Sequence, residues 1–247
     1  MPSYTIMFIP KNVARDPSLL ETVKSLSIET DKLEFKEGTM PDSIEQVEGG
    51  IVFELGFWDL HEYETIERGK TVKKSIKELK RVAVIILDSG FLFVGYCPAE
   101  IADRLQSLIE SNFLPGLMAP RVKFNESVLR AVIESVPDVI KADLRPSKMQ
   151  EPDLISATRR VSVTETPFWA DYGGEPLDFV KVILTRLESQ PRVGFRKNGV
   201  VTIHAATETF TLAQHAAILR YVAERILGPY LAQMQGPSFQ TKLKMRQ

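Results

Sequence analysis

Cysteine is nearly absent. Cys97 stands alone in 247 residues, so no disulfide can form within the chain, and a single thiol fits a reducing compartment. The three histidines, His61, His204 and His215, fall in no HxxxH, HxH or Cys-x-x-Cys context, which removes the usual metal spacings. No apolar run approaches the roughly 18 residues that a membrane span needs. The opening MPSYTIMFIPKNVARD has neither a basic lead-in nor a small-residue cleavage site, so it reads as a strand rather than a signal peptide. Glycine-rich nucleotide loops and catalytic triads are missing too. The expectation is a cytoplasmic, non-membrane protein with no catalytic residue, metal ligand or cofactor nominated.

What is there is ordinary globular material, with 44% hydrophobic and 26% charged residues. The length suits one large domain or two of roughly 120 residues. The net charge of -1 hides a split: residues 1–120 hold 13 Lys+Arg against 19 Asp+Glu, and residues 121–247 hold 18 against 13. Within the first half, residues 16–67 carry 3 basic and 14 acidic side chains, while RGKTVKKSIKELKR, 68–81, carries 7 basic and 1 acidic. Such runs solvate a surface and pair with each other. A basic segment beside a basic second half can also face phosphate.

Along the chain, 4–9 reads as a strand and 18–26 as a short helix with Leu19, Leu20, Val23 and Leu26 at helical spacing. Residues 32–36 and 50–58 read as strands across a loop dense in turn formers, and 59–70 as a strand extension or a turn. Residues 71–80 are expected to be helical. Residues 82–87 and 91–96 form a hairpin across Asp88-Ser89-Gly90, after which Pro98 opens a helix with Ile101, Leu105, Leu108 and Ile109 on one face. FLPGLMAPR, 113–121, is read as a linker between an acidic first half, 1–116, and a basic second half, 117–235. The second half opens on a helix at 125–135, with Asn125 as its N-cap, followed by a strand-like VIKADLRP. Residues 179–187 are ambiguous between strand and helix. Residues 193–196 and 200–205 pair across Lys197-Asn198-Gly199, and a helix from 211 to 227 stops at Gly228-Pro229. The tail, 236–247, is basic and expected to be mobile.

Strand, glycine turn, strand and amphipathic helix therefore occur twice, in RVAVIILDSGFLFVGYCPAEIADRLQSLIESNF, 81–113, and in PRVGFRKNGVVTIHAATETFTLAQHAAILRYVAERIL, 191–227. With the preceding DFVKVILTRLESQ, the second copy resembles one repeat of the TATA-box-binding-protein fold, over about 50 residues as a match of pattern. The resemblance implies an α+β fold of two repeated halves, each a curved antiparallel sheet backed by helices, joined as a saddle. It also implies a pair of phenylalanines used as minor-groove wedges, and Phe179 and Phe195 fall at those places. The first copy has Leu87 where the second has Phe195. At strand spacing, Phe179 and Phe195 also suit a plain core role.

Arg192, Arg196 and Lys197 flank Phe195 and are candidate phosphate contacts, with Lys141, Arg145, Lys148, Arg159, Arg160, Lys181 and Arg186 in the same half. Lys73, Lys74 and Lys77 are candidates in the basic segment. The sequence thus leaves three functions open. The first is a non-catalytic DNA- or RNA-binding protein. The second is an accessory subunit that docks a protein partner. The third is a metal-dependent nuclease on Asp59, His61 and Glu62, with Glu64 near them and a loose Glu78-Leu79-Lys80 pattern downstream. Structural roles are expected for His204 in a strand, His215 in a helix and Cys97 as a small buried hydrophobe.

Overall fold

Ser3–Phe8, β1, is the strand on which both halves of the chain meet. In the computed structural model, which describes residues 1–28, 37–67, 70–95, 97, 99–112, 118–145, 155–158, 162–204 and 210–230, β1 pairs antiparallel with two strands. One is β6, Phe91–Gly95, and the other is β11, Val200–His204. Outward from β6 come β5, Lys70–Leu87, and β4, Gly50–Glu67, whose far edge takes the short β2, Gly38–Thr39, and β3, Glu45–Val47. Outward from β11 come β10, Arg192–Arg196, then β9, Leu177–Ile183, β7, Asp138–Leu144, and β8, Ile155–Thr158. The result is an α+β protein built on one large open antiparallel sheet.

Both expected hairpins form. In the second, Gly199 has φ +84, and a Cβ there would stand 1.8 Å from the carbonyl oxygen of Val122, so no other residue fits the turn. The helices start where capping residues stand. In α4, Glu126–Ser135, Asn125 accepts a hydrogen bond from the Val128 amide. Thr211 and Gln214 close a capping box on α6, Leu212–Tyr221, which continues as a π-helical turn, Val222–Leu227. Thr166 caps the short α5, Pro167–Tyr172.

Alternation along the strands sends successive side chains to opposite faces. On one face Tyr4, Ile6, Phe93, Val193, Phe195, Val201 and Ile203 pack against α4 and α6, forming a core that runs under both halves. On the other face Met7, Leu92, Val94, Val84 and Phe53 pack against Ala14 of α1, Lys11–Ala14, Leu19 and Val23 of α2, Ser18–Ser25, and Leu105 and Ile109 of α3, Ala99–Asn112. No member of this second cluster comes from β7 to β11. The helix after the first hairpin, α3, backs its own half within the second cluster, whereas α6 lies on the opposite face, in the main core and over β3, β4 and β5 of the first half. Two polar contacts seat α6. The buried Tyr4 hydroxyl and His215 Nδ1 share a hydrogen bond of 2.7 Å, and Arg220 donates to the carbonyl and carboxylate of Glu48, at 2.8 and 2.9 Å.

The segment expected to be a helix at 71–80 is a strand. Its Lys-rich composition has good helix propensity, but it runs antiparallel to the acidic part of β4, so that Lys73 faces Glu64, Lys70 faces Glu67, and Lys74 forms an ion pair with Glu67. Tertiary charge pairing overrides the local preference. β4 and β5 are paired over 18 residues each, whereas β5 meets β6 only over 84–86 and the partners of β4 end at Gly56. The remainder projects as a two-stranded arm, roughly 30 Å long at the usual strand rise. Residues 59–67 extend the strand, and 177–183 is strand. The expected strand 32–36 and the tail 236–247 lie outside the described residues, as does most of 113–121.

Candidate functional site

The side of β7 to β11 turned away from the main core is polar and basic. Register places its side chains in three rows. One runs Lys141, Lys181, Gly194, Thr202, Ser3; the next Asp143, Phe179, Arg196, Val200, Thr5; the third Ile183, Arg192, His204. Lys141 and Lys181 sit on neighbouring strands, and Arg192 and Arg196 flank Gly194 on the same side and are exposed. Among the described residues Lys181, Arg192 and Arg196 make no ion pair, while Lys141 is 3.2 Å from Asp143, which also accepts from the Ser156 hydroxyl at 2.6 Å. Burial, then the charges of Arg192 and Lys141, holds the Lys181 ammonium below its ordinary value, the sign of cations crowded without compensation.

Phe179 lies on this face but is only 7% exposed. Its ring covers Gly194, and the ends of Lys141 and Arg196 stand 5.5 and 5.2 Å from its centroid. Phe195 faces the other way. Register sets Phe179 opposite Arg196 and Phe195 opposite Val180, so the two rings occupy opposite faces, and Phe195 is fully buried against Phe124 in the main core. It cannot reach a ligand on the basic side, so the expected phenylalanine pair is corrected to one capped ring and one core ring. Lys197 sits exposed in the turn beside the patch, its amide bonded to the Asp178 carbonyl. Asp178 in turn is 3.2 Å from Arg145.

Lys73, Lys74 and Lys77 are on β5, separated from this surface by β6 and β1. They belong to the arm, with Lys73 and Lys77 on one of its sides and Lys74 on the other. His61 is 3.2 Å from Asp59 and 3.5 Å from Glu78, whereas Glu62 and Glu64 project from the opposite side of the arm, so the proposed nuclease set does not converge. Among the described residues no group of three or more His, Cys, Asp or Glu is arranged to hold a metal ion. Glu78 is drawn instead to Lys80 at 2.6 Å, which lowers its carboxyl below the usual range. Burial raises the Cys97 thiol, the reverse of activation.

The residue that sequence inspection underweighted is His204. Both of its ring nitrogens are shielded from solvent without a hydrogen-bond partner among the described residues, and its pKa is lowered to about 4 by burial and then by Lys181, the N-terminal amine and Arg192. Strand parity was the available signal: Lys181 is two residues from Phe179, and Arg192, Arg196 and His204 share its side once the Asn198-Gly199 register is drawn. No family model matches the chain, and no curated protein does.

Proposed function

We propose that this chain is a non-catalytic nucleic-acid-binding protein that uses the open face of β7 to β11 against phosphate. The observation that carries this reading is the group of uncompensated cations, Lys181, Arg192 and Arg196, with Lys141 beside them, on a sheet face outside both hydrophobic clusters. Phosphate contacts are supplied by such charges and need no base readout. What this reading keeps of the TATA-box-binding-protein resemblance is the repeated unit and the use of a sheet face as the binding saddle. Wedging by Phe179 and Phe195 is not part of it.

The test is binding of the purified chain to labelled DNA and RNA, single- and double-stranded, at two salt concentrations. Affinity should fall steeply with salt and fall again in a Lys181/Arg192/Arg196→Gln variant that keeps its circular dichroism. Absence of binding at low salt would end this reading for the isolated chain.

A second reading, an accessory subunit with a protein partner, has its own observation. The arm exposes Leu60, Tyr63, Ile66 and Ile76, with Ile66 77% exposed. Its test is whether the native assembly, sized in extract of the source cell, loses this chain when the arm is deleted.

A further inference from the structure

We propose that Lys181, Arg192 and His204 form one oxyanion subsite, for a phosphate or sulfate group, in which anion binding draws a proton onto the His204 imidazole. This rests on the reading of the open face as an anion-binding surface and assigns its centre.

The geometry is specific to Gly194. Arg192 and His204 are direct cross-strand neighbours, and Lys181 and Thr202 flank Gly194 from the strands on either side. A Cβ at Gly194 would stand 3.3 Å from His204 Nε2 and 2.7 Å from Phe179 Cε2, so the imidazole leans into the one gap that β10 leaves in its side-chain row. The groups facing the ring are Lys181 from β9, Arg192 from β10 and the N-terminal amine ahead of β1, all cationic. At the same register level, Asp138 is three strands away, beyond Ile183 and Arg192. Among the described residues both imidazole nitrogens lack partners, and a buried polar group without one needs an explanation.

The physical consequence is a linkage. Burial, and then the three neighbouring cations, keep the imidazole neutral in the free protein. An oxyanion held by Lys181 and Arg192 cancels their charge and adds attraction for a proton, so anion and proton each favour the other's binding. Lys181 and Arg192 carry long, rotatable side chains that can swing from the ring to the anion.

The experiment follows the His204 Cε1 proton of the full chain by NMR between pH 3.5 and 8, a range that spans its free value of about 4. Samples are free, with sodium sulfate, whose charge does not change over that range, and with a short blunt DNA duplex bearing or lacking a 5′-phosphate. His61 and His215 serve as internal controls. The expected result is a rise of at least about one unit in the His204 pKa with sulfate or duplex, and anion affinity that tightens by about tenfold in total for each unit of that rise as pH is lowered through the two values. Dependence on the 5′-phosphate would assign a terminal phosphate, and indifference to it the backbone. His204→Gln should abolish the pH dependence, and Lys181→Gln, at a half-buried position, should reduce both affinity and the shift. Duplex binding that leaves the His204 titration unmoved would overturn the subsite while leaving the open-face reading standing. A shift with sulfate but no duplex binding would keep the subsite for small anions and end the nucleic-acid reading. Binding of neither probe would overturn both.

Discussion

The ring of Phe179 lies across Gly194 on the neighbouring strand, so closely that a Cβ at Gly194 would stand 2.7 Å from Cε2 and 2.8 Å from Cζ. A glycine within a strand leaves backbone uncovered, and an aromatic ring from the adjacent strand restores the cover. The pair decides what the basic face presents: charge and backbone, with its aromatic ring lying flat rather than standing as a wedge.

Gly194→Ala should therefore cost about 1–3 kcal/mol as the ring is forced off the strand, measured by urea unfolding. Phe179→Leu should leave salt-dependent anion binding within about twofold of the parent. A large loss with an intact fold would show that the ring itself contacts the ligand.

Phe195→Ala should destabilise by about 3–5 kcal/mol, as for other fully buried aromatics. Phe195→Leu should recover most of that stability and bind as the parent does. A binding defect in a stable Phe195→Leu protein would contradict its placement in the core.

Replacing residues 60–77 with Asn-Gly joins the paired Asp59 and Glu78 through a two-residue turn. Core packing on this hairpin ends at Phe57 and Val82, so the melting temperature should change by only a few degrees. A collapse of cooperative unfolding would mean that the arm is part of the folding unit.

Acid should weaken the fold through two histidines. The folded pKa of His204 is about 4 against an ordinary 6.5, and that of His215, hydrogen-bonded to the Tyr4 hydroxyl, is also lowered by burial. The unfolded chain then binds these protons more readily, so stability is full above about pH 6.5 and declines as pH falls toward the folded values. The imidazole of His204 is only partly buried, so its share is on the order of 1–2 kcal/mol after solvent screening. His204→Gln should flatten the melting temperature between pH 7 and 5 relative to the parent. An identical pH profile would show that His204 is not buried neutral.

Features governed by neighbours in the chain were legible beforehand. The Asn198-Gly199 and Gly90 turns, the Asn125 cap and the apolar stripes of α2 and α3 depend on residues within one or two turns of one another. Residues 70–80 were not legible, because Lys and Glu suit a helix and only the acidic strand 59–67, folded back against them, makes a strand the better state. The candidate site was half legible. Arg192 and Arg196 were found by composition, whereas the exclusion of Phe195 and the inclusion of Lys141, Lys181 and His204 depend on parity and register.

By itself, then, the sequence determined the α+β character, the two hairpin-and-helix units and the basic second half, since these follow from periodicity, turn chemistry and charge count. Only the tertiary structure decided which side of the sheet each half buries. That choice is set by which strands pair with β1 and by where α3 and α6 find apolar surface. It turns Phe195 inward, leaves Lys181, Arg192 and Arg196 without an ion pair among the described residues on one face, and brings His204 among them. A strand's two faces differ by one residue in sequence, and long-range packing selects between them.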